Sequence, residues 1–150
     1  MKVNINTNGF YGNSFDNLLK DVSKSGEFVT VGVHGDVDND VLKYAIRNEF
    51  GEGNIPSRPF IRQSFDKNQR GLKDTGVMLI QKYLDGSITK EQALFFWGES
   101  LVDEIQNEIN EGVNFVENSA ATIKKKGTGK HPLQDTGRLQ QSIKAVVQGG

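Results

Sequence analysis

From Phe60 to Ile109 apolar residues recur at helical spacing with one interruption, and this pattern constrains the fold more than any other feature of the chain. Ile61, Phe65, Leu72, Leu79 and Tyr83 predict a long helix over 60–84, weakened in its middle by Gly71 and Gly76. Asp85-Gly86 breaks it. Thr89 and Gln92 then stand at capping-box spacing and open a helix over 90–110, with Leu94, Trp97, Leu101, Ile105 and Ile109 on one stripe. Two such helices across a turn at 85–88 are expected to pack as an antiparallel hairpin.

The remaining elements are arranged around this hairpin. Residues 1–12 read as a short strand or arm, and 14–23 as a short amphipathic helix carrying Phe15, Leu18, Leu19 and Val22. Residues 27–34 alternate and are β-branched, which predicts a strand whose inner face starts at Phe28 or at Val29. Asn39 or Asp40 caps a helix over 41–50 that places Leu42, Ala45, Ile46 and Phe50 on one face, and Gly51 and Gly53 end it. Pro56 and Pro59 pin a loop over 54–60, with Pro59 suited to the first turn of the next helix. Residues 111–134 are poor in apolar side chains and read as a long loop, functional or ordered by a partner. Asp135 or Thr136 caps a short helix bearing Leu139 and Ile143, and Ile143 to Val147 form a last strand. This order predicts one α+β domain spanning 1–150, a small mixed or antiparallel sheet packed with several helices.

Composition limits the function classes. With 35% hydrophobic residues among 150, the core is lean and part of the chain is expected to order only in an assembly. The formal net charge of -1 supplies no global field toward nucleic acid or anionic membrane. The absence of cysteine excludes disulfides and thiolate metal sites. Met1 to Gly12 have no apolar centre and are not expected to act as a signal peptide, and no apolar run suits a bilayer span.

No catalytic constellation assembles. His34 and His131 are the only histidines, at a strand end and in a glycine-rich loop, and no activated nucleophile accompanies them. Asp36, Asp38 and Asp40 alternate like the start of a calcium loop. Val41 stands where that loop needs glycine and Arg47 where it needs glutamate, so the segment reads as a polar helix-capping turn. Gly127-Thr128-Gly129-Lys130 lacks the glycine at Lys124 and the hydroxyl at His131 that a phosphate loop requires. Lys124, Lys125, Lys126 and Lys130 instead make a basic loop able to touch DNA or an acidic partner. Glu99, Asp103, Glu104, Glu108 and Glu111 give the 90–111 helix an acidic back, a solvated face that in a ring would line a channel and repel DNA. Phe95, Phe96 and Trp97 cannot share one face, so one phenylalanine is expected either at a subunit interface or under the 111–134 loop. No metal, cofactor or enzymatic activity is expected.

Two segments carry a resemblance. The first is Tyr44-Ala45-Ile46-Arg47-Asn48-Glu49-Phe50-Gly51, followed by Ile55-Pro56-Ser57-Arg58-Pro59-Phe60-Ile61-Arg62. The second is His131-Pro132-Leu133-Gln134-Asp135-Thr136-Gly137-Arg138-Leu139, followed by Ser142-Ile143. Their order and separation resemble the tail-completion and virion-morphogenesis proteins of tailed bacteriophages. The resemblance spans roughly residues 29–148 and is weak over the first 28 residues and over 111–130.

That resemblance implies an α+β virion subunit of the neck, assembled in the host cytoplasm. It would form a ring around the DNA channel, a hexamer at the tail or a dodecamer if it is a head-side adaptor. Its partners would be its own copies, the head connector or portal adaptors, and the tail terminator or tail tube. DNA would pass through without sequence recognition, and no membrane would be involved. The rival readings are a head-completion adaptor on the portal and a small DNA-binding protein using the 124–130 loop. The proline turn fixes the direction of Arg58, whose guanidinium suits a carboxylate on a neighbouring subunit. Arg47, Arg58, Phe60, Arg62, Asp135 and Arg138 are the expected interface residues. Phe60 is also expected to anchor the turn in the core, and Asp135 to cap the helix after it. In that reading Arg58→Ala leaves the monomer folded and blocks joining.

Overall fold

The computed structural model describes residues 26–126, 131–134 and 136–149. The expectations for 1–12 and 14–23 lie outside them. In chain order the elements are β1 (Phe28–Val33), α1 (Asn39–Phe50), α2 (Phe60–Leu84), α3 (Lys90–Glu111), α4 (Ala120–Lys126), α5 (Arg138–Ser142) and β2 (Ile143–Gln148). The chain is an α+β protein, as its pattern predicts. No helix among the described residues is long and apolar enough to cross a membrane.

The hairpin forms and is antiparallel. Lys67 near the start of α2 bonds Glu108 near the end of α3 at 2.8 Å, while Leu72 accepts from the Trp97 indole at 2.7 Å. Thr89 and Gln92 make the full capping box at the start of α3. Gly76 of α2 supports the packing: a Cβ there would stand 3.1 Å from the Trp97 ring, so the missing side chain seats the indole. Glu108 does not belong to the solvated acidic back. It is buried, and Lys67 and Asn114 donate to its carboxylate.

β1 and β2 pair antiparallel in the register Val29↔Val147, Val31↔Ala145 and Val33↔Ile143. An isolated pair of strands is marginal in water, so one face must be covered. Gly98 of α3 makes the cover possible. A Cβ on it would meet Val29 Cγ2 at 2.6 Å and the Ala145 Cβ at 2.7 Å. The inner face therefore begins at Val29, and Phe28 lies half exposed. Ile105 and Ile109 extend the same contact into a core with Ala45, Phe60, Val102, Phe115, Leu133, Leu139 and Ile143.

Several local expectations need correction. The cap of α1 is Asp38, whose carboxylate accepts from the Asp40 amide, and not Asn39 or Asp40. That bond, and the Arg138 guanidinium beside it, hold the Asp38 carboxyl below its usual pKa. The buried face of α1 is Val41, Ala45, Asn48 and Glu49, whereas Ile46 and Phe50 point outward. Two polar side chains displaced two apolar ones because each satisfies backbone groups inside the fold. Along α3 the buried positions are Ala93, Gly98, Val102, Ile105, Glu108 and Ile109, while Leu94, Trp97 and Leu101 of the expected stripe are partly covered. A stripe facing both a helix and a sheet is wider than one facing a helix alone.

Residues 111–134 are not one structureless loop. Gly112 closes α3 in the left-handed conformation, Phe115 enters the core, and Ser119 caps α4 by accepting from the Thr122 amide. Leu133 is buried at φ 68°, the only non-glycine residue with positive φ among those described. The short helix α5 begins after Gly137, which sits in the left-handed region, so Thr136 is not its cap, and Asp135 lies outside the described residues.

Candidate assembly interface

The segment joining α1 to α2 answers one physical question: where two helix ends place their unpaired backbone groups. Pro59 begins α2 without a side-chain cap. Glu49, from the last turn of α1, replaces it. Its carboxylate accepts from the Ile61 amide at 3.0 Å, from the Arg62 amide at 3.2 Å, and from Arg62 Nε at 2.9 Å. An anion at a helix N-terminus also opposes the positive end of the helix dipole. In return, the turn caps α1. Arg58 N donates to the Asn48 carbonyl at 2.5 Å, and Ser57 Oγ and Arg62 Nη2 donate to the Glu49 carbonyl at 2.9 and 2.8 Å. Each helix thus caps the other.

Gly51 makes the turn tight enough. Its φ is 78°, and a Cβ there would lie 3.1 Å from Ser57 N. Glu49→Gln keeps the shape but removes the charge. It is expected to destabilise the fold by about 1–2 kcal/mol, read from chemical denaturation, since a charged acceptor is stronger than a neutral one. Unchanged stability would mean that the α2 amides find water instead.

Arg58 is the centre of a second layer. It is 6% exposed, and its guanidinium does not reach for a neighbour's carboxylate. Nη1 donates to Asn48 Oδ1 at 2.9 Å, Nε to the Val116 carbonyl at 2.7 Å, and Nη2 to the Glu117 carbonyl at 3.1 Å. Asn48 is oriented for this by its own bond to the Tyr44 carbonyl at 2.8 Å. Burial pushes the Arg58 pKa below its ordinary value, with Tyr44 opposing, but a guanidinium in a protein stays charged. The arginine therefore straps the segment after α3 onto α1. The second motif performs a similar task at the end of α3, where Gln134 Nε2 donates to the Ile109 and Asn110 carbonyls at 3.1 and 2.7 Å.

The expected interface residues therefore separate into two groups. Arg58 and Phe60 are internal, Phe60 at 0% exposure as the core anchor, and neither is available to a neighbour. Arg47, Arg62 and Arg138 are on the surface and ion-paired with Glu52, Glu49 and Asp38. Lys124 and Lys125 are exposed on α4, which Lys126 ends. Lys130 and Asp135 lie outside the described residues. Asp36 is drawn to Lys144 and Asp38 to Arg138, and no group of three metal-ligating side chains occurs among the described residues.

The outward face of α1 is the feature the sequence reading missed. Ile46 is 50% and Phe50 65% exposed, one helical turn apart. Lys43 and Arg47 lie on the same exposed side, and the Arg62 guanidinium sits over the Phe50 ring at 5.2 Å. A second apolar site lies on α3, where Phe95 and Phe96 are 42% and 47% exposed and tilted against each other. Neither phenylalanine is buried, so the expected burial under the 111–134 segment does not hold for either. Comparison of this chain with protein-family models, curated proteins and solved structures finds no match.

Proposed function

We propose that this chain is a structural subunit of a tailed-phage neck, a tail-completion protein that forms a ring joining the tail to the head connector. DNA passes through that ring without being read. The chain works by assembly and carries out no catalysis. One observation supports this most. The two segments that resemble the tail-completion family are the ones that build the reciprocal helix joint and its straps, and the joint leaves Ile46 and Phe50 exposed. Apolar side chains held outward on a rigid scaffold suit a surface made for another protein.

The test is a stop codon in this gene of its phage, with lysates viewed by electron microscopy. Filled heads beside separate, complete-length tails are the expected result, with infectivity lost. Heads that have leaked their DNA would move the subunit to the portal as a head-side adaptor. Normal infectious particles would remove the neck assignment altogether.

A further inference from the structure

The two exposed apolar sites are far apart. Phe50 lies beside the start of α2, through Arg62, whereas α3 passes Gly76 of α2 at Trp97, next to Phe95 and Phe96. At 1.5 Å rise per residue, the run from Arg62 to Gly76 sets them about 20 Å apart. A like-on-like contact of either site with its own copy would leave the other in water, so a single contact that buries both must set one site on the other.

Their charges are opposite. Beyond Lys90, α3 contains no lysine or arginine, and Glu99 and Asp103 continue the Phe95–Phe96 face at the following turns. Around Ile46 and Phe50 stand Lys43, Arg47 and Arg62, offset in part by Glu52 and by the buried Glu49. The α1 site keeps a basic excess, with Lys43 beyond the Arg47–Glu52 and Arg62–Glu49 pairs, and α3 offers acidic side chains beside its phenylalanines. Such complementarity selects a partner and fixes its orientation.

We infer that the occupant of each site is a second copy of this chain, the Phe95–Phe96 end of α3 in one subunit packing on the Ile46–Phe50 face of α1 in the next. The contact joins two different surfaces, so it repeats head-to-tail from copy to copy, and repetition closes a ring when the rotation permits. Glu99 and Asp103 approach Lys43 and Arg47 across it. Arg62 already lies on the Phe50 ring and keeps that ring outward. The inference rests on the ring proposed above and names the surfaces that close it.

The absence of cysteine allows a direct test. Phe50→Cys and Phe96→Cys are made separately in the full chain, purified, and oxidised alone and mixed, while light scattering records the assembly state of the unmodified protein. The expected result is a disulfide-linked dimer in the mixture and in neither single variant, and a ladder of linked oligomers from the double variant. Linked dimers from Phe50→Cys alone would show a like-on-like contact and overturn the inference, and a double variant whose linking stops at a dimer would show the two sites paired about a two-fold axis and overturn the ring. An oligomer that forms with no Phe50–Phe96 link would overturn these surfaces while leaving the ring standing. A chain that remains monomeric and unlinked at all concentrations would overturn both. As a second variant, Arg47→Glu is expected to lower self-association at least tenfold, and Glu99→Arg in the mixed partner to restore it.

Discussion

Arg58→Ala is expected to destabilise the folded chain by about 4 kcal/mol. The side chain is buried and serves three separate close acceptors, Asn48 Oδ1 and the carbonyls of Val116 and Glu117, and a longer fourth, Asn118 Oδ1 at 3.5 Å. Hydrogen bonds from a charged donor contribute about 1.5–3 kcal/mol each, and each acceptor left dry costs about 1–3 kcal/mol. Water entering the vacated space offsets part of this, which brings the sum down to the stated value. Arg58→Lys should recover less than half, because an ammonium on a flexible stem cannot fork to three acceptors held in different directions. Urea denaturation followed by the helical circular dichroism signal measures both. Limited proteolysis adds a local readout, since residues 113–118 lose their strap and should be cut first. A variant as stable as the parent but unable to assemble would restore Arg58 as an interface residue, the role its position between two prolines suggests.

Gly98→Val should cost about 3 kcal/mol or more, and the contrast with Gly71→Ala tests the reason. Both glycines lie inside long helices, where replacing glycine by alanine normally gains up to about 1 kcal/mol. Gly71 of α2 has nothing within 4 Å of an added Cβ, so Gly71→Ala should stabilise. At Gly98 the added Cβ would overlap Val29 at 2.6 Å and Ala145 at 2.7 Å, both from the two-stranded sheet. Valine adds two further methyl groups in the same place. The sheet must then lift off α3, and overpacking of this kind costs about 1–3 kcal/mol and sometimes more. Because a pair of strands has little stability of its own, the β signal should weaken before the hairpin melts. If Gly98→Val proved as mild as Gly71→Ala, the close approach of α3 to the sheet would be wrong.

The long helical hairpin was legible because its information is local. Apolar spacing, the Asp85-Gly86 break and the Thr89–Gln92 box each act within a few residues, and all point the same way. The strands at both ends of the described fold were legible for the same reason. Their inner face was not. Phe28 is larger and more apolar than Val29, yet Val29 faces inward, because the parity is decided by Gly98, about 70 residues away in sequence.

The candidate interface shows the same division in reverse. A helical-periodicity reading places Ile46 and Phe50 inside, since apolar side chains gain most from burial. The fold turns them out because Asn48 and Glu49 hold backbone and guanidinium partners that water could not replace without cost. Arg58 was read as pointing outward from a rigid turn. The turn is rigid, but its direction depends on where the carbonyls of 116 and 117 lie, and no local pattern specifies that.

The amino-acid sequence by itself determined the α+β class, the hairpin and the proline turn, all consequences of composition and of interactions between near neighbours. Only the tertiary structure decided which polar groups go inside, which apolar groups remain outside, and that Arg58 straps the molecule together. Those choices depend on pairing every buried donor and acceptor across distant segments, and that pairing exists only once the segments have met.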